Sequence, residues 1–435
     1  MSLPEALART LLLMRDEVYH DTPDEVLLAA LTGTHVALVA NESNIRTHAA
    51  QTAFVTAAIL MARSGHKVFL IAPNVPLVGN QPPLRQGGII EQLINMGEDM
   101  LPGVSFETEL DGRAVDLAIG FGDTPLDSSA QRRIWTNAEA WAGTVMPENK
   151  RSQWLSDSWP MGALTAAALV SAEAFKSAMQ RLRPYARNLG RLDTVFAYTD
   201  EITFALAPSD TPMHQDLGRF DCVSGGAIIN AALYTLYRIP GVNGCGRVIE
   251  PETAAISNLN RYMLLRRSRL DHSKADDLAH LLGDKLRLEA IQKRFEPNFL
   301  NEMIAFAPAV LVGVDHIPTR WAVQEAKPEW LGIGATTHWS AMASFHSAGL
   351  GCARCLHNED DPADADIPTV AFVSFWGGLL LAAYFLRHLA RTTVSFREQQ
   401  IYLTAFRAEN PSRAPVPLRR SCPTCAAIYP TRQAG

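Results

Sequence analysis

The stretch "VIEPETAAISNLNR", Val248 to Arg261, decides how this chain is read. It opens on the end of an apolar run and places two acids, Glu250 and Glu252, directly behind it. Asn258, Asn260 and Arg261 follow within a turn or two. Upstream, "RFDCVSGG" closes another apolar run at Ser224, Gly225 and Gly226, and "AIINAALYTLYRIPG" then reads as a helix. Small residues between a strand and a helix let backbone amides approach a phosphate at the positive helix end. A plain tight turn explains those glycines equally well. A carboxylate at the end of the second strand of such a unit commonly holds ribose hydroxyls. Together the two features say nucleotide, and they permit NAD as readily as ATP.

The residues that follow discriminate. Asn258, Arg261 and Lys274 supply an amide and two cations where a triphosphate, rather than a nicotinamide, needs neutralising. For one cation alone, a solvated surface residue is the simpler reading. Downstream, "VLVGVDHIPTR" delivers Asp315 at the end of an apolar strand, where a carboxylate can hold Mg²⁺ against phosphates. A helix N-cap is the competing account of that aspartate.

Working outward, the chain repeats itself. "THVALVA", "QTAFVTAAILMARSG" and "HKVFLIAPN" parallel "RFDCVSGG", "AIINAALYTLYRIPG" and "GRVIEPE". "DLAIGFGDTP" ending at "AWAGTV" parallels "AVLVGVDHIPTR" ending at "LGIGAT". "WPMGALTAAALVSAEAFK" parallels "IPTVAFVSFWGGLLLAAYFLRHL". Strand, helix and strand alternate as in a doubly wound α/β sheet. We place the boundary between two halves near Gly190 to Asp216, giving blocks 1–205 and 206–435. Two similar halves usually pack about a pseudo-two-fold axis, like a fused homodimer. The halves differ chemically: Ala72 stands where Glu250 stands, and no lysine follows Asn80 at the spacing of Lys274.

The 435 residues are long enough for two domains, and 47% are hydrophobic. A formal charge of −6 offers no electrostatic case for nucleic acid or a membrane surface. The N-terminal "MSLPEALARTLLLMRDEVYHDTPDE" interleaves acids with apolar residues, unlike a signal peptide. "IPTVAFVSFWGGLLLAAYFL", Ile367 to Leu386, is uncharged and long enough for a membrane span. Its Ile-Pro start and its place between two cysteine pairs favour a buried helix. A soluble, cytoplasmic protein is expected.

Cys352, Cys355, Cys422 and Cys425 form CxxC…CxxC, which reads as a closed tetrahedral zinc site, structural rather than catalytic. The stretch "NPSRAPVPLRR" before the last pair reads as an extended connector.

The order Ser-Gly-Gly, Glu250-x-Glu252, Ser257-Asn258-Leu259-Asn260-Arg261, Lys274, Asp315, CxxC…CxxC resembles the ThiF-type adenylating enzymes. These are the activating enzymes of ubiquitin and its relatives, and of the sulfur carriers of thiamine and molybdopterin synthesis. The resemblance is close from about Arg219 to Cys425. The first half resembles the inactive adenylation half of two-domain ubiquitin-activating enzymes. The resemblance implies two Rossmann-like halves, an inactive one at 1–205 and an active one at 206–435 with the zinc knuckle. It implies ATP- and Mg²⁺-dependent adenylation of the C-terminal glycine of a ubiquitin-like β-grasp protein, with a downstream conjugating or acceptor protein as a second partner. Carried over, Ser224, Gly225, Gly226, Glu250, Glu252, Asn258 and Asn260 bind nucleotide, with ribose at Glu250. Arg261 and Lys274 act on phosphates, and Asp315 on Mg²⁺. Such sites take an arginine from the other half, for which Arg15 is the first candidate and Arg46 the second.

Three departures stand out. Ile229 replaces the last loop glycine, Tyr262 follows Arg261 where glutamine is usual, and no cysteine lies between Cys355 and Cys422 to carry a thioester. Cys222 and Cys245 read as structural. The reaction then stops at the acyl-adenylate, or passes to a hydroxyl such as Thr369 or Ser374, or to a partner. Two alternatives remain open: adenylation of a peptide or RNA, and a non-catalytic nucleotide-binding scaffold for a β-grasp protein.

Overall fold

The computed structural model describes residues 2–296, 305–359, 367–392, 395–419 and 421–428. It holds two mixed sheets. The first contains β1 (His35–Val39), β2 (Lys67–Ile71), β3 (Phe106–Glu107), β4 (Leu117–Phe121), β5 (Arg132–Ala138), β6 (Ala142–Met146) and β7 (Ile202–Ala205), in the order 3-2-1-4-5-6-7. The second contains β8 (Asp216–Val223), β9 (Asn243–Ile249), β10 (Leu286–Ile291), β11 (Ala309–Val312), β12 (Trp330–Thr337), β13 (Ser340–Ser347), β14 (Gln400–Thr404) and β15 (Ser412–Ala414), in the order 10-9-8-11-12-13-14-15. In each sheet the first five strands run parallel, the sixth pairs antiparallel with the fifth, and the seventh pairs antiparallel with the sixth. The strand order therefore repeats, with β15 as the addition. The division after residue 205 falls between β7 and β8.

One pairing read from sequence is out of step. "AWAGTV" is β6, the sixth position of its sheet, whereas "LGIGAT" lies in β12, the fifth. The true counterpart of β12 is β5, whose "RRIWTNA" hides its strand character behind two arginines. The "NPSRAPVPLRR" connector is extended but also supplies β15, which pairs with β14; Arg420 lies outside the described residues.

The helices are α1 (Leu3–Arg15), α2 (Asp24–Thr32), α3 (His48–Arg63), α4 (Ile89–Met100), α5 (Met161–Arg181), α6 (Leu189–Thr194), α7 (Ala227–Tyr237), α8 (Lys274–Leu282), α9 (Ile317–Glu325), α10 (Ala353–Leu356), α11 (Ala371–Leu389) and α12 (Pro423–Ile428). α3 packs on α5, α7 packs on α11, and α11 touches both α3 and α5. This four-helix layer is where the two sheets meet. Its residues are buried around nearly the whole circumference and mostly apolar, as a helix enclosed on every side requires. α3 is buried from His48 to Arg63, and α11 from Ala371 to Arg387. α11 is long and apolar enough to cross a membrane, yet it lies inside the protein. Gly378 allows the α7–α11 contact: a Cβ there would sit 2.5 Å from both Ala231 Cβ and Ile228 O.

Polar stitches cross the same layer. Thr56 Oγ1 meets Tyr234 OH at 2.8 Å, His48 Nε2 meets Arg238 O at 2.6 Å, and Arg238 donates to Pro82 O at 2.6 Å. Each satisfies a buried polar group that would otherwise be costly to keep dry.

Candidate functional site

The C-terminal ends of β8, β9 and β11 open onto a cavity of about 260 Å³, where α/β sheets commonly bind ligands. β8 runs into Ser224, which holds φ +108, a strained region for a residue with a side chain. Ser224 Oγ accepts from Gly226 N at 2.8 Å, and Gly226 caps α7. A Cβ on Gly225 would lie 3.1 Å from Glu250 Cγ and 3.2 Å from Lys274 Cβ. The glycine loop therefore lies directly against both side chains.

Glu250, buried at the end of β9, accepts from Gly225 N at 2.6 Å and Glu252 N at 3.0 Å. Lys274, the first residue of α8, donates to Glu252 at 2.5 Å. Burial works to lower the Lys274 ammonium, but Tyr262, Glu252 and Glu250 outweigh it and hold it above its ordinary value. This lysine is charged at neutral pH.

Tyr262 lies near two cations, its ring centroid 5.4 Å from the Arg261 guanidinium and 5.7 Å from Lys274 Nζ. These are within cation–π range. The residue that departs from the expected glutamine thus contacts both charges. Asp315 is exposed at the opposite wall, and its carboxylate accepts from His316 N at 2.9 Å. His316, not Asp315, caps α9, so the helix-cap reading of that aspartate does not hold.

Ser224, Gly226, Glu250, Glu252, Arg261, Lys274 and Asp315 all line the cavity. Three predicted ligands do not: Gly225, Asn258 and Asn260. Asn260 is wholly buried and donates to Thr10 Oγ1 at 2.9 Å and Thr369 O at 3.2 Å, tying α1 to the entrance of α11. Asn258 accepts from Ala255 N at 2.9 Å and closes its own turn.

Neither nominated first-half arginine reaches the site. Arg15 pairs with Asp24 and Arg46 with Glu42, both on the surface. Arg9 lines the cavity instead. Six residues along a helix turn about 600°, so Arg9 and Arg15 point about 120° apart. Arg9 borders the buried face of α1 beside Leu13 and Arg15 borders it beside Leu11, so no pattern in the sequence separates the two. Arg294, His316 and Thr319 complete the polar lining and had no motif to mark them. Thr369 and Ser374 also line the wall, their hydroxyls 2.8 Å apart.

The equivalent place in the first sheet is filled. Asp123 stands after β4 as Asp315 stands after β11, but Asn44 Nδ2 donates to it at 2.5 Å. Asn44 Oδ1 accepts from Trp154 N at 2.9 Å, and a Cβ on Gly122 would strike Asn44 at 2.4 Å.

The Cys352, Cys355, Cys422 and Cys425 sulfurs all lie within 4.8 Å of one another. Tetrahedral Zn²⁺ at about 2.3 Å from each sulfur needs them about 3.8 Å apart. The shortest pairs stand at 3.3 and 3.5 Å, so the donor set fits that ion. Cys222 is fully buried in β8, and burial pushes its thiol far up, so it offers no nucleophile. Cys245 is half-buried within β9.

Residues 35–190 match the sequence profile of the BilD N-terminal domain. That stretch excludes every residue lining the cavity. Protein y4jF of Sinorhizobium fredii, described as uncharacterized, is 29% identical over 206 residues, covering 46% of this chain. The chain spans 38% of that relative's length. Among solved structures, E. coli MccB aligns at TM-score 0.40 and 12% identity, over 67% of this chain and 94% of its own. Its complex with MccA gives 0.42, also at 12% identity, over 67% and 97%. PaaA gives 0.37 at 12% identity, over 46% and 64%.

Proposed function

We propose that this chain activates a carboxylate with ATP, adenylating the C-terminal glycine of a β-grasp protein, and that the second half performs the chemistry. The observation that carries the reading is the convergence of Arg9, Arg261, Lys274 and Asp315 on one cavity beside the N-terminus of α7. Three cations and a helix N-terminus suit a polyphosphate. Glu250, which lines the cavity at the end of β9, would hold the ribose hydroxyls. Asp315 would hold Mg²⁺, whose charge offsets that of the phosphates.

The reaction joins the substrate carboxylate oxygen to the α-phosphorus and breaks the α–β phosphoanhydride, so the electron pair leaves with pyrophosphate. Such a displacement needs alignment and charge neutralisation more than covalent help. Arg261, held by Ser257 O and Asn260 Oδ1, and Lys274, held by Glu252, are fixed before substrate arrives. Arg9 enters from the other half and makes the site dependent on both. No reactive thiol lines the cavity, so the acyl-adenylate is the product handed to an acceptor. A four-cysteine metal site with no disulfide fits a reducing compartment such as the cytoplasm.

The test is ATP–pyrophosphate exchange with purified protein, with and without a β-grasp protein ending in glycine, beside a short peptide arm. Exchange that needs the β-grasp protein and is lost in Asp315→Ala, with folding confirmed, supports the reading. Exchange with peptides alone transfers the activity to a peptide carboxylate. ATP binding without exchange in any arm leaves a scaffold.

A further inference from the structure

α9 faces two ways. Its N-terminal end presents Asp315, His316 and Thr319 to the cavity. Its next two turns grip the four-cysteine knuckle at separate points. Trp321 Nε1 donates to His357 O at 2.8 Å, and the Arg354 guanidinium lies 4.2 Å over the Trp321 ring. Gln324 Oε1 accepts from Ala353 N at 3.2 Å, and Glu325 Oε1 from Thr424 Oγ1 at 2.7 Å. The two cysteine pairs are thus each tied to α9, one through α10 and one through α12. Arg320 completes the link: buried, it donates twice to Val314 O, at 2.7 and 3.0 Å, while its other nitrogen lies 3.3 Å from His357. Val314 is the residue before Asp315.

A nine-residue helix is about 13 Å long and stiff, so whatever fixes its C-terminal turns also fixes its first residue. The short α12 is held to α9 by Thr424, which is fully buried, and to α10 through the small cluster that the knuckle forms.

We propose that the four-cysteine knuckle positions Asp315 through α9, with Trp321, Gln324 and Glu325 as positioning residues, so that loss or oxidation of the cysteine site weakens the cavity's hold on a divalent cation. This rests on the role given to Asp315 above. It makes the knuckle a device acting on the reaction centre as well as a clasp for the C-terminal segment. Partners that hold a metal ligand in place typically contribute 10- to 100-fold in metal affinity, and an effect of roughly that size is expected here.

The experiment uses the full chain carrying Trp321→Phe and Thr424→Val together, which leaves all four cysteines and the cavity lining untouched. Zinc content is measured first and is expected to match wild type. Hydrogen exchange over residues 313–326 is expected to quicken, with β2 unchanged. Mn²⁺ affinity in the presence of ATP, read by paramagnetic resonance, is expected to fall about 10-fold or more. Thr424→Ser is expected to restore most of what Thr424→Val alone loses. If the double variant fails to fold, the Thr424→Val and Thr424→Ser pair carries the same test. Unchanged exchange at 313–326, or quickened exchange with unchanged Mn²⁺ affinity, overturns the proposal. Neither readout requires adenylation, so a wild-type protein inactive in pyrophosphate exchange would sink the function proposed above while leaving this link decided on its own terms.

Discussion

Arg63→Met tests how the first half supports the site. Arg63 ends α3, is fully enclosed, and donates to Leu259 O, to Leu265 O at 2.5 Å and to Met100 O at 3.4 Å. The first two carbonyls bracket the segment that carries Arg261 and Tyr262. Burial holds the guanidinium down at about 9, partly offset by Tyr234 and Asp99. Keeping that charge out of water therefore costs about 5 kcal/mol. Methionine relieves the cost but leaves the carbonyls without a donor, at about 1–3 kcal/mol each. The two effects oppose each other at similar size, so global stability is expected to move by less than about 3 kcal/mol. The local consequence has no such offset. The 259–265 segment loses its clamp, and KM for ATP is expected to rise about 10-fold or more, since a displacement of about 1 Å can cost that much. Urea unfolding and pyrophosphate exchange on the same preparation give both numbers, and limited trypsin digestion reports whether the segment has loosened. A wild-type KM for ATP would refute the clamp. A stability loss beyond about 5 kcal/mol would refute the claim that burying the charge is nearly as costly as losing its bonds.

Lys274→Met should lower kcat/KM by about 10²- to 10³-fold through loss of a fixed phosphate cation, with little loss of stability because its Glu252 partner is mostly exposed; a kcat/KM within threefold of wild type would remove Lys274 from the site. Tyr262→Phe keeps the ring near the two cations and should retain most activity, whereas Tyr262→Leu should raise KM for ATP; equal effects in the two variants would show that the ring faces are irrelevant. His66 is held down at about 4 by burial, against 6.5 in the unfolded chain. The unfolded chain takes up a proton below pH 6.5 that the folded one refuses, so this stability is present above 6.5 and lost as the pH falls towards 4, by up to about 3 kcal/mol. His66→Gln should flatten that part of the profile, and parallel urea midpoints for both proteins between pH 6.5 and about 4.5 would contradict it.

Much of the fold was legible because the repeat is written in local pattern. Apolar strands ending in small or acidic residues, each followed by a helix, mark β1, β2, β4, β8, β9 and β11 without knowledge of tertiary contacts. β5 escaped because its arginines break the apolar run, and β3 because it is only two residues long. At the site, Glu250, Lys274 and Asp315 were readable from position at strand and helix ends. Arg9 and Arg63 were not, since each acts on residues about two hundred or more positions away. Asn260 was misread because an amide next to Arg261 looks like a ligand until the buried Thr10 hydroxyl claims it.

The filled crevice around Asn44 and Asp123 has a consequence for stoichiometry. Two separate subunits that share sites about a two-fold axis can fire twice per dimer, and they fall apart on dilution. Here one crevice is closed by its own side chains while the same half contributes Arg9 and Arg63 to the other. A covalent link keeps those arginines at an effective concentration of the order of millimolar, whatever the cellular amount of protein. The chain is therefore expected to turn over at one centre per molecule, with a specific activity that does not change on dilution.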